Sequence, residues 1–277
     1  MTKINIVAAL GASALSLTAA SASAQDWSGF YMGAHAGYQA LSDTDNETIR
    51  FDTNLDGTYG DTVRTSAAVD AFSPGFCSGK PNGDNAGAGC SDDQQGTGEF
   101  GLRAGYDIQS GSFVFGVVAE GSTGGLQDRV TAFSTTPANY VFLRETQYVI
   151  AARARLGMAY GRYLPYVTAG YALARVESEY SSTNTANAFV PTAKETDATG
   201  FQVGAGIETK VTDRISLGVE YLYSDLEEDE PHTVRAGPGT APLTNPFRIV
   251  NPLGTDQRRS SDAFELHSVR LTAAIRF

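Results

Sequence analysis

The last ten residues alternate almost without fault, with Val269, Leu271, Ala273, Ile275 and Phe277 on one face and Ser268, Arg270, Thr272, Ala274 and Arg276 on the other. Period two marks a strand with two unlike faces. An apolar stripe of this length, closing on a bare aromatic, needs a cover. Lipid supplies one, because aromatic rings sit well at the boundary between hydrocarbon and headgroup.

The same alternation recurs over 30–39, 99–108, 113–122, 148–160, 164–176, 200–208 and 215–224. With the final strand this makes about eight segments, each near the length a tilted strand needs to cross a bilayer. The connections alternate as well. Those at 109–112, 161–163 and 211–214 are short; those at 40–98, 123–147, 177–199 and 225–262 are long. Short turns on one side and long loops on the other are the loop rule of a transmembrane barrel, with turns periplasmic and loops outside. A β-sandwich does not predict that asymmetry. The absence of helix-period segments among the strands excludes α/β folds. The expected fold is therefore all-β: an eight-stranded antiparallel up-and-down transmembrane β-barrel with long extracellular loops.

At the other end, Lys3 precedes an apolar, alanine-rich stretch over 4–20, and Ala22-Ser23-Ala24 has the small-residue pattern of a cleavage site. This predicts a signal peptide over 1–24 and a barrel domain over 25–277. Loss of Lys3 takes the formal charge from -11 to -12. Acidity argues against nucleic acid as a partner.

The faces turned away from lipid carry Glu99, Arg103, Asp107, Glu120, Arg153, Arg155, Glu208, Glu220, Arg270 and Arg276. An eight-stranded barrel is only wide enough inside for side chains to fill it. A balanced set of acids and arginines there can pair off, and buried charges must pair or bear a large desolvation cost. The expectation is a lumen charge network in which an arginine such as Arg153 meets a carboxylate from another strand. A narrow path for ions or small solutes is the alternative.

Asp26-Trp27-Ser28-Gly29-Phe30-Tyr31-Met32-Gly33, followed by Ala36-Gly37-Tyr38, resembles the opening strand of the small outer-membrane β-barrel family that includes the OmpA transmembrane domain and the porin-like surface antigens of alphaproteobacteria. Arg153-Ala154-Arg155-Leu156-Gly157 and Leu164-Pro165-Tyr166-Val167-Thr168-Ala169-Gly170 resemble its central hairpin. Gly204-Ala205-Gly206-Ile207-Glu208 and Val219-Glu220-Tyr221-Leu222-Tyr223 resemble its sixth and seventh strands. The resemblance covers the strands and leaves out the long loops. It implies a bacterial outer-membrane location, lipid and the barrel assembly machinery as partners, and Phe277 as the assembly signal. No peptidoglycan-binding domain is expected after Phe277, so the wall-anchoring role of OmpA is not expected to carry over.

Asp52, Asn54 and Asp56, with Gly57, match the opening of a calcium loop, but the position for its bidentate glutamate holds Val63. An ordinary Asp/Asn/Gly turn is the preferred reading. Cys77 and Cys90 share one loop of an exported chain, so a disulfide is expected. His35 faces inward, His232 lies in the last long loop and His267 sits near the outer end of the final strand. None stands in a legible relation to a nucleophile, so neither an enzyme nor a cofactor is expected. The expected role is structural or surface-interacting, with oligomeric state unread.

Overall fold

The computed structural model describes residues 26–42, 47–72, 92–136, 138–192 and 194–277. The predicted signal peptide lies outside the described residues, as do Cys77 and Cys90. Fourteen strands follow in chain order: β1 (Gly29–Leu41), β2 (Ile49–Asp52), β3 (Asp92–Gln95), β4 (Thr97–Ser110), β5 (Phe113–Thr123), β6 (Gln127–Ser134), β7 (Ala138–Met158), β8 (Tyr163–Ser182), β9 (Ala188–Pro191), β10 (Glu195–Lys210), β11 (Ile215–Glu228), β12 (Thr233–Gly237), β13 (Thr255–Arg259) and β14 (Ala263–Arg276).

Eight of these close a ring. Its order is β1-β4-β5-β7-β8-β10-β11-β14, and β14 returns to β1 with Tyr31 opposite Arg276. Every pairing is antiparallel. Closure leaves no edge unpaired, which a wall in hydrocarbon requires. Alternation sets the two faces. Leu102, Ile108, Val117, Val167, Tyr171 and Leu271 are exposed outward, whereas adjacent Arg103, Asp107, Val118, Thr168, Ala172 and Arg270 point into the lumen and are buried. Phe277 lies just past β14; its N–H donates to the Phe30 carbonyl at 2.9 Å, and its ring stands outward, 6.1 Å from that of Phe30.

The strands run further than their periodicity predicts. β7 begins at Ala138 and β8 ends at Ser182, inside stretches that read as loops. The cause lies between Thr146 and Tyr148, where the β7–β8 register shifts. A β-bulge adds one residue and reverses the parity of everything beyond it. Even-numbered Tyr140, Phe142 and Arg144 are therefore buried above the bulge, and odd-numbered Val149, Ala151 and Arg153 below it. Opposite the bulge, β5 breaks at Gly124-Gly125 and resumes as β6, which stays paired to β7. Gly125 takes φ +98°, a conformation that side chains disfavour.

The long connections also build structure of their own. β2, β13, β12 and β9 form a separate four-stranded sheet over one end of the barrel. Its inner face, with Ile49, Phe51 and Val234, packs with Phe72, Val130, Tyr140, Phe142 and Phe247 into a buried core. The opposite end carries the short turns and Trp27. The described parts of the long connections thus form an ordered cap.

Candidate functional site

The lumen is filled in layers, which β7 displays in sequence. Ala159 lies at the turn end, in an apolar group with Trp27, Val114 and Leu164. Arg155 and Arg153 follow, then Val149 and Ala151, then Arg144 beneath the cap.

Arg155 Nη1 meets Glu208 Oε1 at 2.8 Å, and Arg276 Nη2 meets Asp107 Oδ2 at 2.9 Å and Glu208 Oε2 at 3.3 Å. Aromatic faces complete this layer: the Arg155 guanidinium carbon lies 4.0 Å from the Tyr166 ring centroid, and that of Arg276 lies 4.7 Å from the Tyr31 centroid. One level up, Arg153 grips Glu120 through both Nη atoms, each 2.8 Å from a carboxylate oxygen. Arg103 faces Glu220 at 3.2 Å, and Arg270 Nε meets Glu99 Oε1 at 2.9 Å while its Nη1 also reaches Glu120. Gln202, Ser268 and Tyr166 add hydrogen bonds to this layer. All ten charged residues expected in the lumen are buried there, five acids and five arginines.

Above the charges the lumen turns apolar. Leu126, Val149, Ala172, Val176, Leu226, Phe264 and Leu266 form one buried cluster, drawn from β7, β8, β11 and β14 and from the break between β5 and β6. Above it lies an ionic group absent from the sequence reading. Arg144 reaches Asp128 at 2.8 Å and Glu228 at 3.1 Å, and Arg259 binds Glu47 and reaches Asp128 at 2.6 Å. Burial pushes the Asp128 carboxyl up, but Arg259 and Arg144 more than offset this and hold it below its ordinary value. Arg259 belongs to β13 of the cap and Asp128 to β6 of the wall, so the pair ties the two together. The buried Tyr140, Phe142, Arg144 alternation carries a signal for Arg144, masked by its reversed parity. Nothing local in the sequence pointed to Glu47 or Arg259.

The remaining candidates are placed as follows. Asp52 accepts the N–H groups of Leu55 at 2.7 Å and Gly57 at 2.7 Å, and the Asn54 amide donates to Asp56 at 2.9 Å. These bonds make the segment a hydrogen-bonded turn, with the Asp52 oxygens occupied by backbone. Among the described residues no group of three or more His, Cys, Asp or Glu could hold a metal ion. His35 is buried in the lumen with neither ring nitrogen bonded to protein, and His232 packs edge-on against Phe142. His267 does have a serine beside it, contrary to expectation. Its Nε2 lies 2.9 Å from Ser42 Oγ and its Nδ1 2.6 Å from the Tyr221 hydroxyl, on the outward face. Ser42 and Tyr221 lie 225 and 46 positions from His267 along the chain, so no local spacing reveals these partners. Ser42 directs its own N–H to the Glu265 carbonyl at 2.8 Å, so that amide is not available to stabilise an oxyanion.

A family model described as outer membrane protein beta-barrel domain matches residues 7–239. The 31 kDa outer-membrane immunogenic proteins of Brucella melitensis and Brucella suis are each 30% identical over 210 residues, covering 76% of this chain and 75% of the relative. Among solved structures, the outer membrane protein OprG from Pseudomonas aeruginosa overlaps 90% of this chain and 97% of its own, with a TM-score of 0.47 at 11% identity. A closed ring of eight antiparallel strands, an apolar outer belt and these relatives together place the chain in the bacterial outer membrane, and it belongs to the outer-membrane β-barrel protein family.

Proposed function

We propose that this protein is a closed outer-membrane barrel with a structural or surface-interaction role, and that it does not conduct. The observation that carries this reading is the order of layers in the lumen. Two tiers of paired charges are followed by an apolar layer and then by a cap with a core of its own. A hydrophobic constriction stops ions by excluding water. The cap end faces outward and the turn end faces the periplasm, in line with the loop rule. The relatives named as immunogenic agree with a cap open to the surroundings. In this reading residues 1–24 serve as the cleaved leader and Phe277 is read by the assembly machinery. The Ser42–His267–Tyr221 string is read as an interfacial hydrogen-bond chain, with the Ser42 N–H held by the Glu265 carbonyl.

The second reading is a narrow channel. It draws on buried polar atoms that lack protein partners, among them both nitrogens of His35, Gln39 Nε2 and Arg103 Nε. Such atoms favour water. Conductance of the refolded protein in planar bilayers separates the two readings. Electrical silence is expected; stable unitary steps would overturn the closed barrel.

A further inference from the structure

The outer face of the cap sheet brings two arginines together. Arg50 of β2 and Arg258 of β13 stand directly opposite each other in the register. Their chain neighbours Ile49, Phe51, Gln257 and Arg259 are buried, so both arginines take the face turned away from the cap core. Arg50 is exposed and Arg258 half-buried. Like charges placed directly opposite destabilise a sheet. The acids two residues away, Asp52 and Asp256, are engaged elsewhere. Arg235 of β12 holds Asp256 by two bonds, Nε to Oδ1 at 2.7 Å and Nη2 to Oδ2 at 2.8 Å, and Asp52 accepts backbone N–H groups of its own turn. The Arg258 guanidinium instead lies over the Tyr59 ring, 4.2 Å from its centroid, and its Nε has no hydrogen-bond partner among the described residues. A ring face steadies a cation without cancelling its charge. Hydroxyls flank the pair. Thr48 and Ser260 lie two residues from Arg50 and Arg258, and Ser260 Oγ accepts the Thr48 N–H at 2.9 Å. A hydroxyl that accepts in this way keeps its own proton to donate.

Two guanidinium forks on neighbouring strands suit one class of anion. A carboxylate has two oxygens, and a single arginine fork fills both, as Arg235 does with Asp256 in this same sheet. A sulfate or phosphate ester has three terminal oxygens that lie in no single plane with its sulfur or phosphorus. It can therefore engage two forks and a hydroxyl at once. The formal charge of -11 on the chain repels anions at a distance, so affinity has to come from these contacts.

We infer that Arg50 and Arg258 bind a tetrahedral oxyanion, as carried by a sulfate or phosphate ester. The inference deepens the surface-interaction reading and rests on it for access from outside, but anion binding and conductance are measured separately, so either can fail alone. The test is NMR of the refolded full chain, with nitrogen-15-labelled arginine, in a zwitterionic detergent. The probes are glucose 6-sulfate and glucose 6-phosphate, with glucuronate as the carboxylate comparison at constant ionic strength. The Nε–H resonances of Arg50 and Arg258 should shift saturably with the esters, at several-fold lower concentration than with glucuronate. Arg50→Gln and Arg258→Gln should each weaken the response of the remaining arginine several-fold. Arg64→Gln removes another exposed arginine, one that donates to the Ala68 carbonyl, and should leave the response unchanged. Heat-dependent gel mobility verifies that each variant is folded. A second arm places the protein in nanodiscs holding an outer-leaflet glycolipid, either phosphorylated or dephosphorylated. Shifts that need the lipid phosphate would assign the ester to the surrounding membrane; shifts with the soluble esters alone would assign it to a ligand from outside. Absence of saturable shifts in both arms would overturn the inference, as would an equal response to glucuronate or an undiminished one in folded Arg50→Gln.

Discussion

Arg153 and Glu120 show how single residues are held in this lumen. Both are buried, and two parallel bonds of 2.8 Å join them. Taking both charges out of water nearly cancels their attraction, so the pair adds little net stability, yet removing one partner costs about 3–5 kcal/mol. Arg153→Ala strands Glu120, whose remaining partner is Arg270. In a double-mutant cycle with Glu120→Ala, measured by unfolding in lipid vesicles, the double variant should lose less than the sum of the singles, by about 0.5–3 kcal/mol. Additive losses would mean that each charge is solvated by itself. Asp128 supplies a pH dependence at the cap. Its folded pKa lies below the ordinary 3.8, so its contribution is complete above that value and disappears as pH falls through the folded pKa. Hydrogen-exchange protection at β6, taken relative to the intrinsic amide rate at each pH, should be flat from neutral pH down to about 4 and fall below it. Asp128→Asn should make β6 exchange fast at neutral pH and remove much of the acid step; an unchanged profile would remove Asp128 from the clasp.

At the scale of elements, the bulge in β7 sets which numbering parity faces inward in the upper barrel. Gln147 is the extra residue between Thr146 and Tyr148. Deleting it leaves Thr146 next to Tyr148 and restores strict alternation through β7 with Phe142 and Arg144 still turned inward, because the bulge puts Gln147 and Tyr148 in succession on the outer face. The cap keeps Phe142 in its core and Arg144 on Asp128 and Glu228. Limited proteolysis of the deletion variant in vesicles should therefore find the cap as resistant as in the parent, above a heat-modifiable core. Rapid cutting of the cap would show that the bend of the bulge itself is needed to steer the upper strands. Elsewhere the strands obey one rule: outward positions such as Val203 and Leu271 meet lipid, and the next residue in line, Gln202 or Arg270, joins the lumen.

For the whole molecule, the apolar layer matters more than the charges. Salt bridges in a wetted lumen could rearrange around passing ions, but Leu226, Phe264 and Leu266 offer nothing to replace an ion's hydration. Leu226→Ser with Leu266→Ser should admit water at this level and produce conductance steps absent from the closed barrel proposed for the parent protein, read in planar bilayers. Continued silence in the folded variant would move the seal to the cap.

Much of this architecture is legible in the chain because lipid imposes a strict code. A wall one layer thick, with hydrocarbon outside and packed polar side chains inside, forces period two on every strand, and the inward positions of all ten charged residues follow from that period alone. Legibility stops where the wall leaves the membrane. Above the belt, packing among chain segments replaces lipid as the cover, and parity can change at a bulge without penalty. Ile49 meets Arg259 across the cap sheet, Glu47 meets Arg259 in the clasp, and Ser42 meets His267 on the outer face, all across more than two hundred residues. Period and composition determine which face a residue occupies. Only closure of the barrel and folding of the cap decide which partner it meets there, because strand stagger and long-range packing place together residues that share no local pattern.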